Sequence, residues 1–304
     1  MKWEKKGLIF KPDGSSPWAR HTALQPTPLV LNDGVIRVFT GMRDDDGVGR
    51  VGYVDVKASN PGEVLGVSAL PCLDIGQPGA FDENGVIPCA VVKRDEEIFL
   101  YYAGYMLGHR VRFIAFSGLA VSKDGGVTFT RYSRAPVTDR TDDELLFRAI
   151  HSILYDAGKW KVWYGAGNEF RTGNQKTLPC YNIRYMESAD GIRFPAKGVV
   201  ALDIREDEHR VGRPYVIKVN DTYRMFFGAG SEAEPYRLAY AESGDGINWQ
   251  RKDDELGLTL SATGWDSQMM AYPAVVTWRD RTYMFYNGNE YGRTGFGYAE
   301  LKEW

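Results

Sequence analysis

Acidic side chains directly precede one apolar run of the chain. In the segment GAFDENGVIPC, residues Gly79–Cys89, the side chains Asp82, Glu83 and Asn84 come just before a run with the composition of a buried strand. Carboxyl groups held together in a cavity are typical general acids, because like-charge repulsion and burial favour the protonated form. Asp82 and Glu83 are therefore the first candidates for proton transfer. Side chains alternate along an extended chain, so only one of the two is expected to face inward.

These residues belong to a unit that recurs about every 60 residues. A short apolar run is followed each time by a second, aromatic-rich run that ends in glycine. The first runs are Gln25–Leu31, Gly85–Val92, Arg148–Tyr155, Gly212–Val219 and Ala271–Trp278. The second runs end at Gly41, Gly104, Gly165, Gly228 and Gly288. Such spacing predicts repeated short strands, and no segment shows sustained helical periodicity.

A third run and turn residues complete each unit. Asp124, Asp190 and Asp245 each start an Asp-Gly turn before an aromatic residue, which is typical of hairpins. Five units of four short strands predict an all-β fold, a five-bladed β-propeller with four-stranded antiparallel blades. Residues 1–304 are predicted to form this single domain. The N-terminal WEKKGLIF resembles the end of another unit, so we expect the first strand to close the last blade.

Alternating strand direction places the loop before each first strand on one face of the propeller. We expect the polar side chains of these loops to converge on a central cavity. Two further loops on this face echo each other, GNEFRTG and GNEYGRTG. The candidate catalytic residues are Asp82, Glu83, Asp266 and Glu208. The candidate substrate-binding residues are Trp18, Arg20, His21, Gln25, Asn84, Arg148, His151, Asn168, Glu169, Arg210, Arg213, Trp265, Tyr272, Asn289 and Glu290.

This mixture of carboxylates, amides and aromatic rings suits a sugar. Amides and carboxylates bind hydroxyl groups, and aromatic rings pack against the apolar faces of pyranoses. The arginines and histidines of the same loops also suit a phosphate or an acidic sugar. We therefore expect a carbohydrate or sugar phosphate as the small-molecule partner. A solvated rim without function is the alternative interpretation.

The blade pattern and the aromatic-glycine ends of the second strands resemble the five-bladed carbohydrate-active enzymes, the group of glycoside hydrolase families 32, 43, 62, 68 and 130. The resemblance implies a glycosidase-like enzyme that uses inner-strand carboxylates, and the matching position of the second unit has Asp82 and Glu83. Asp266 and Glu208 are candidates for the opposite group, because their units would lie across or beside the second unit in a ring of five. Two positions depart from it, because Gln25 stands where the group has an aspartate and Arg148 stands where it has a glutamate. The family 130 phosphorylases, which need only one protein acid, suggest phosphorolysis or glycosyl transfer as an alternative. A propeller that only binds a glycan is the other alternative.

Composition excludes several other classes of function. The net charge of -3, with 37 basic and 40 acidic residues, does not indicate a nucleic-acid partner. The first residues contain no apolar run long enough for a signal peptide or a membrane span, so we expect no membrane association and a cytoplasmic location.

Three cysteines match neither a disulfide framework nor a zinc site. His21, His151 and His209 precede or begin first strands, but no close spacing supports a metal, and no cofactor motif occurs. The oligomeric state stays open.

Overall fold

The computed structural model describes all residues, 1–304. The strands, in chain order, are β1 (Lys2–Phe10), β2 (His21–Asn32), β3 (Val35–Arg43), β4 (Gly49–Lys57), β5 (Asn60–Val67), β6 (Val86–Arg94), β7 (Glu97–Leu107), β8 (Phe113–Ser122), β9 (Thr130–Arg131), β10 (Phe147–Asp156), β11 (Lys159–Thr172), β12 (Thr177–Ser188), β13 (Val199–Leu202), β14 (Glu208–Val219), β15 (Thr222–Ser231), β16 (Arg237–Ser243), β17 (Gln250–Arg251), β18 (Ala271–Trp278), β19 (Arg281–Asn287) and β20 (Phe296–Glu303). The helical segments are a 3-10 turn at Asp253–Glu255 and α1 at Asn289–Gly292. Neither has the length or apolarity that a membrane-spanning helix requires. The all-β prediction is confirmed.

Antiparallel pairing divides the strands into five groups. Group one is β2 to β5, group two β6 to β9, group three β10 to β13 and group four β14 to β17, each paired in chain order. Group five is β18, β19 and β20 with β1 on its outside. The N-terminal strand thus pairs with the C-terminal strand, with Trp3 opposite Leu301.

The groups do not form five separate sheets. Short parallel pairings link β8 to β10 and β12 to β14, so groups two to four join into one twelve-stranded sheet. Groups one and five each form a four-stranded sheet, and no sheet closes on itself. The five blades, their closure into a ring and the single domain therefore stay predictions.

The burial of each strand follows its position in its group. First strands such as β2 and β14 are buried along most of their length. Outer strand β1 instead alternates in exposure near its start, with Trp3 buried and Glu4 exposed. An apolar run favours a strand covered on both sides, and alternation is typical of a strand with one solvent-facing side.

Five apolar clusters lie between neighbouring groups. The clusters join group one to two, two to three, three to four and four to five. A further cluster packs Val38 and Val54 of group one against Tyr283 and Phe285 of group five. Each group is therefore packed on both sides, including the first and the last. The first strands of all five groups then lie where their side chains can reach one cavity.

Candidate functional site

Each first strand is interrupted by a bulge at the same relative position. The pairing with the second strand shifts register next to Gln25, Cys89, His151, Arg213 and Tyr272. Bulges commonly redirect a side chain out of the regular alternation. These five residues are the inner-strand positions of the site.

Proline explains part of this local structure. Gln25, Arg213 and Tyr272 each precede a proline, and each has a left-handed backbone, with φ of 54°, 53° and 57°. Proline has no N–H to donate to the neighbouring strand, so it is found at bulges and strand edges. A left-handed backbone is costly for side chains other than glycine and is typical of functional positions.

A cavity of about 420 Å³ opens at these positions, and we call it the inner-strand cavity. Gln25, His151, Arg213 and Tyr272 lie in its wall. Its aromatic side chains are Tyr105, Phe113, Phe147, Tyr181, Tyr236, Tyr272 and Tyr291. Its basic side chains, apart from His151, are Arg43, Arg112, Lys176, Arg210 and Arg213. Glu290 is the one carboxylate in the wall.

Arg213 forms the floor of the cavity and is 2% exposed. Its guanidinium donates to the backbone oxygens of Cys89 and His151 and, over 2.8 Å, to Thr27 Oγ1. These acceptors come from three strand groups, so one side chain ties three inner strands together. Burial lowers the pKa of Arg213 from its ordinary value.

Arg210 lies in a box of tyrosines. Its guanidinium carbon is 4.2 Å from the centre of the Tyr236 ring, and its Nη2 donates to the Tyr291 hydroxyl over 2.9 Å. The side chain is buried, and its Nε has no hydrogen-bond partner in the protein. Cation-π contacts stabilise the guanidinium without supplying a counter-charge.

His151 is the one imidazole among the inner-strand positions. Burial, with the Arg213 charge nearby, holds its pKa well below the ordinary value of 6.5. The ring is therefore neutral at pH 7, and its Nδ1 has no hydrogen-bond partner in the protein. A neutral imidazole with a free nitrogen is suited to a hydroxyl group of a ligand.

Glu290 reaches the cavity from the loop after β19. Its backbone and that of Tyr291 are left-handed, with φ of 55° and 54°. Asn289 anchors the loop, because its Oδ1 accepts hydrogen bonds from the backbone N–H groups of Gln268 and Met269. The Glu290 side chain is 66% exposed, so it lies at the mouth of the cavity.

The predicted catalytic carboxylates occupy different positions. Asp82 is 1% exposed, pairs with Arg131 Nε at 2.8 Å and accepts a hydrogen bond from the Tyr102 hydroxyl at 3.0 Å. Glu208 pairs with Arg251 at 2.6 Å. Asp266 pairs with Lys5 at 2.7 Å and accepts from the Tyr286 hydroxyl. None of these carboxylates lies in the wall of the inner-strand cavity.

The three acids share one structural pattern with Glu144, which pairs with Arg148 and Arg184 and accepts from the Tyr164 hydroxyl. In each case an acid before or at the start of a first strand binds a basic side chain of its own group. In three of the four clusters the basic residue comes from the outermost strand. We call these clusters the loop latches, and their acids are Asp82, Glu144, Glu208 and Asp266. Glu83 is half-buried and accepts a hydrogen bond from the Gly79 N–H.

Asp82, Glu83, Glu208 and Asp266 were expected to face the central cavity, but all four lie outside the wall of the inner-strand cavity. These acids lie in the loop before a first strand or, for Glu208, at its start, and hydrogen-bond donors of the same group bind them there. The sequence did not reveal these partners, because Arg131 and Arg251 follow their acids by more than 40 residues. The catalytic role given to these carboxylates is untested, and their placement supports a structural one.

The predicted binding residues divide into two sets. Those in the wall of the inner-strand cavity are Gln25, Asn84, His151, Arg210, Arg213, Tyr272 and Glu290. Those outside it are Trp18, Arg20, His21, Arg148, Asn168, Glu169, Trp265 and Asn289.

The residues outside the wall have contacts within the protein that explain their position. Trp18 donates to the Ala69 oxygen, and Trp265 stacks on Tyr286. The Asn168 side chain accepts a hydrogen bond from the Leu145 N–H, and the Asn289 side chain accepts one from the Gln268 N–H. Polar loop residues thus satisfy nearby backbone groups. Charged members form ion pairs: Arg20 with Asp45, Arg148 with Glu144, and Glu169 with Arg171. The ring nitrogen of His21 lies 2.8 Å from the Thr22 hydroxyl.

Several wall residues were not predicted. Arg43, Arg112 and Lys176 lie at or between second and third strands, and Tyr105, Phe113 and Tyr181 belong to those strands. The loops between second and third strands share the face of the predicted site, which was the available signal. The structure brings no three histidine, cysteine or acidic side chains together in a metal-binding arrangement.

Comparison with known proteins gives two sequence relatives and many structures. The uncharacterized protein Rv1502 of Mycobacterium tuberculosis strain H37Rv is 33% identical over 303 residues, which is 99% of this chain and 100% of the relative. The uncharacterized protein MT1551 of strain CDC 1551 matches with the same identity and coverage. No family model matches the chain.

Among solved structures, a glycoside hydrolase superposes with a TM-score of 0.75 at 17% identity, covering 99% of this chain and 92% of its own. A structure from work on the GH130 family of mannoside phosphorylases, containing hydrolases that target beta-1,2 mannosidic linkages, has a TM-score of 0.71 at 14% identity, covering 98% and 93%. A thermostable family-43 glycoside hydrolase has a TM-score of 0.67 at 17% identity, covering 93% and 89%. The chain therefore has the propeller-like fold of these glycoside hydrolases.

Proposed function

The chain belongs to the family of the Mycobacterium tuberculosis protein Rv1502, and from that premise we propose that it is a carbohydrate-active enzyme of glycosidase type. It binds a sugar in the inner-strand cavity and transfers a glycosyl group with a single protein carboxylate, Glu290. The observation that carries this proposal is the wall of the cavity, which combines seven aromatic rings, five basic side chains and one carboxylate. The solved structures of similar fold are named as glycoside hydrolases, which supports the class of substrate.

We further propose that residues 1–304 form one domain, a closed propeller of five blades. The five antiparallel groups would be the blades, with β1 completing the last one. The cluster that packs group five against group one supports closure of the ring. Closure would bring the five inner-strand positions around one axis, and the bonds from Arg213 to three other first strands support this arrangement.

The cavity suits a sugar ring. Tyrosine and phenylalanine faces pack against the apolar face of a pyranose, and Gln25, Asn84 and neutral His151 bind its hydroxyl groups. The mixture of apolar surface and few polar groups is typical of small-molecule sites. Arg213 holds the floor rigid, which fixes the positions of these groups.

A single protein carboxylate is sufficient when the nucleophile, here phosphate, is already an anion, because no second carboxylate is then needed as base or nucleophile. In this reaction an oxygen of phosphate attacks the anomeric carbon, and the glycosidic C–O bond breaks. The leaving oxygen takes the proton of the Glu290 carboxylic acid. The products are a glycosyl phosphate and the free alcohol, and the Glu290 carboxylate regains a proton from solvent. Hydrolysis by two carboxylates would need a second one within about 5 to 9.5 Å of the first. The loop latches hold the other candidates in ion pairs.

Turnover measurements test this proposal. A panel of aryl glycosides is assayed with and without phosphate, and glycosyl phosphates are assayed with sugar acceptors. The protein and its Glu290→Gln and Glu169→Gln variants are compared. We expect phosphate-dependent turnover that falls about 100-fold or more in Glu290→Gln, the usual effect of losing a general acid. Glu169→Gln is the matched control, because Glu169 lies in the similar Asn-Glu-aromatic loop but outside the wall. Phosphate-independent turnover that survives in Glu290→Gln would contradict the proposal.

A protein that binds a glycan without turnover is the second candidate. It is favoured by the five inner-strand positions, Gln25, Cys89, His151, Arg213 and Tyr272, none of which is an acid. Saturable sugar binding together with no turnover on the whole panel would support this candidate over the first.

A further inference from the structure

The basic side chains of the inner-strand cavity have no acidic partners. Arg43, Arg112, Lys176, Arg210 and Arg213 form no salt bridge, whereas Arg37, Arg131 and Arg251, which are buried or half-buried elsewhere in the protein, are each paired with a carboxylate. Glu290 at the mouth interacts only with Arg293, at 3.9 Å. The cavity therefore carries an excess positive charge.

Four of these cations are free to bind a ligand. Arg213 is committed to oxygens of its neighbours, but Arg43, Arg112 and Lys176 make no side-chain hydrogen bond within the protein. Arg210 is 9% exposed, and its Nε has no partner. Arg43 is half-buried, and Arg112 and Lys176 are exposed, so the cost of a buried charge without a counter-ion falls on Arg210 alone. An anionic group of a ligand would remove that cost.

The four cations come from four strand groups. Arg43 ends β3, Arg112 precedes β8, Lys176 precedes β12 and Arg210 lies in β14. Lys176 and Arg210 also line a neighbouring cleft of about 470 Å³, where Glu232 and Glu290 balance their charge, so the excess of positive charge is confined to the inner-strand cavity. Because each cation comes from a different strand group, together they suit a ligand that carries charged groups at more than one place.

We propose that the ligand of this site is an anionic glycan, a sugar that carries its own carboxylate or phosphate groups. Aromatic rings of the wall contact its sugar rings, and Arg43, Arg112, Lys176 and Arg210 bind its charged groups. This inference rests on the proposed carbohydrate function and adds the class of sugar. The carboxylate or phosphate groups in question belong to the glycan itself, whereas the phosphate of the proposed reaction is a separate molecule that acts as the nucleophile.

Calorimetric binding to the Glu290→Gln variant tests the inference apart from turnover. The probes are glucose, glucose 1-phosphate and glucuronate, with the corresponding mannose and galactose compounds, each with and without saturating inorganic phosphate. We expect the anionic sugars to bind at least about tenfold more tightly than the neutral ones, as charge-assisted hydrogen bonds predict. Saturating phosphate should not remove this preference.

Basic-residue variants identify the site. Arg43→Gln and Lys176→Gln, made in the same background, should each reduce the preference for the anionic sugar at least threefold. Lys93→Gln is the matched control, because Lys93 is exposed and unpaired near the far end of β6 from the cavity. It should leave the preference unchanged.

Three results would overturn the inference: equal binding of neutral and anionic sugars, loss of the preference in saturating phosphate, or no binding of any anionic probe. Anionic-sugar binding without turnover by the unmodified protein would keep this inference and reject the proposed reaction. Turnover of neutral sugars alone would do the reverse.

Discussion

Replacing Asp82 by alanine separates a structural role from a catalytic one. Asp82 is buried, and its carboxylate binds Arg131 Nε at 2.8 Å and the Tyr102 hydroxyl at 3.0 Å. The substitution leaves the buried Tyr102 hydroxyl without an acceptor and Arg131 without its counter-ion. If this latch holds the loop before β6, the variant should unfold more easily but keep its turnover.

The size of the effect follows from these contacts. Breaking a buried ion pair costs about 3 to 5 kcal/mol, and leaving a hydroxyl unsatisfied costs about 1 to 3 kcal/mol. Arg131 is 24% exposed and can turn towards water, which reduces the first cost. We expect the free energy of unfolding to fall by about 2 to 4 kcal/mol, which corresponds to a Tm lower by roughly 4 to 8 °C.

Chemical denaturation and calorimetry measure the stability, and the turnover panel measures activity at a temperature where the variant is folded. Glu83→Ala is the control, because Glu83 is half-buried and binds only the Gly79 N–H, so the loss should stay below about 1 kcal/mol. An Asp82→Ala protein of unchanged Tm and abolished turnover would refute the latch and restore Asp82 as a catalytic acid.

Three further predictions concern the floor, the termini and pH. Arg213→Met should lower the free energy of unfolding, measured by urea denaturation, by about 3 kcal/mol or more, because backbone oxygens of two inner strands lose their donor. An unchanged urea midpoint would contradict this role of Arg213. Deleting residues 1–10 removes β1, the partner of β20, and leaves a strand edge exposed. We expect light scattering to show aggregation, because an exposed strand edge pairs with other chains. A stable monomer would contradict this role of β1. Lowering the pH from 7 to 5 should destabilise the protein, because burial lowers the pKa values of His151 and His209, so both bind fewer protons in the folded than in the unfolded chain. The slope is at most about 1.4 kcal/mol per pH unit for each histidine, and His151→Gln should flatten it in denaturation curves.

The sequence predicted strands well because their signal is local. The five apolar runs fall within β2, β6, β10, β14 and β18 almost entirely, and Ala271–Trp278 matches β18 residue for residue. The pairing of β1 with β20 followed from the likeness of Trp3–Phe10 to another unit. Apolar composition and glycine turns depend on neighbours in the chain, so a pattern read along the sequence captures them.

The site was predicted only in part because its contacts are between distant residues. Asp82 and Asp266 have the right residue type in a plausible loop, but Arg131 and Lys5 bind them away from the inner-strand cavity. The reverse holds for Lys176, which was not among the predicted residues and lies in the wall. Residue type alone does not decide between a latch and a ligand site, because long-range partners determine which charges remain free.

A crystal structure of the Glu290→Gln variant with its tightest-binding sugar would show directly whether the inner-strand cavity is the catalytic site. We expect the sugar to lie in the inner-strand cavity, against Tyr272 and near Arg210, with residue 290 within hydrogen-bond distance of the anomeric oxygen. The loop latches of Asp82, Glu208 and Asp266 should stay closed. A sugar bound with Asp82 or Asp266 at its anomeric carbon, released from Arg131 or Lys5, would contradict the account.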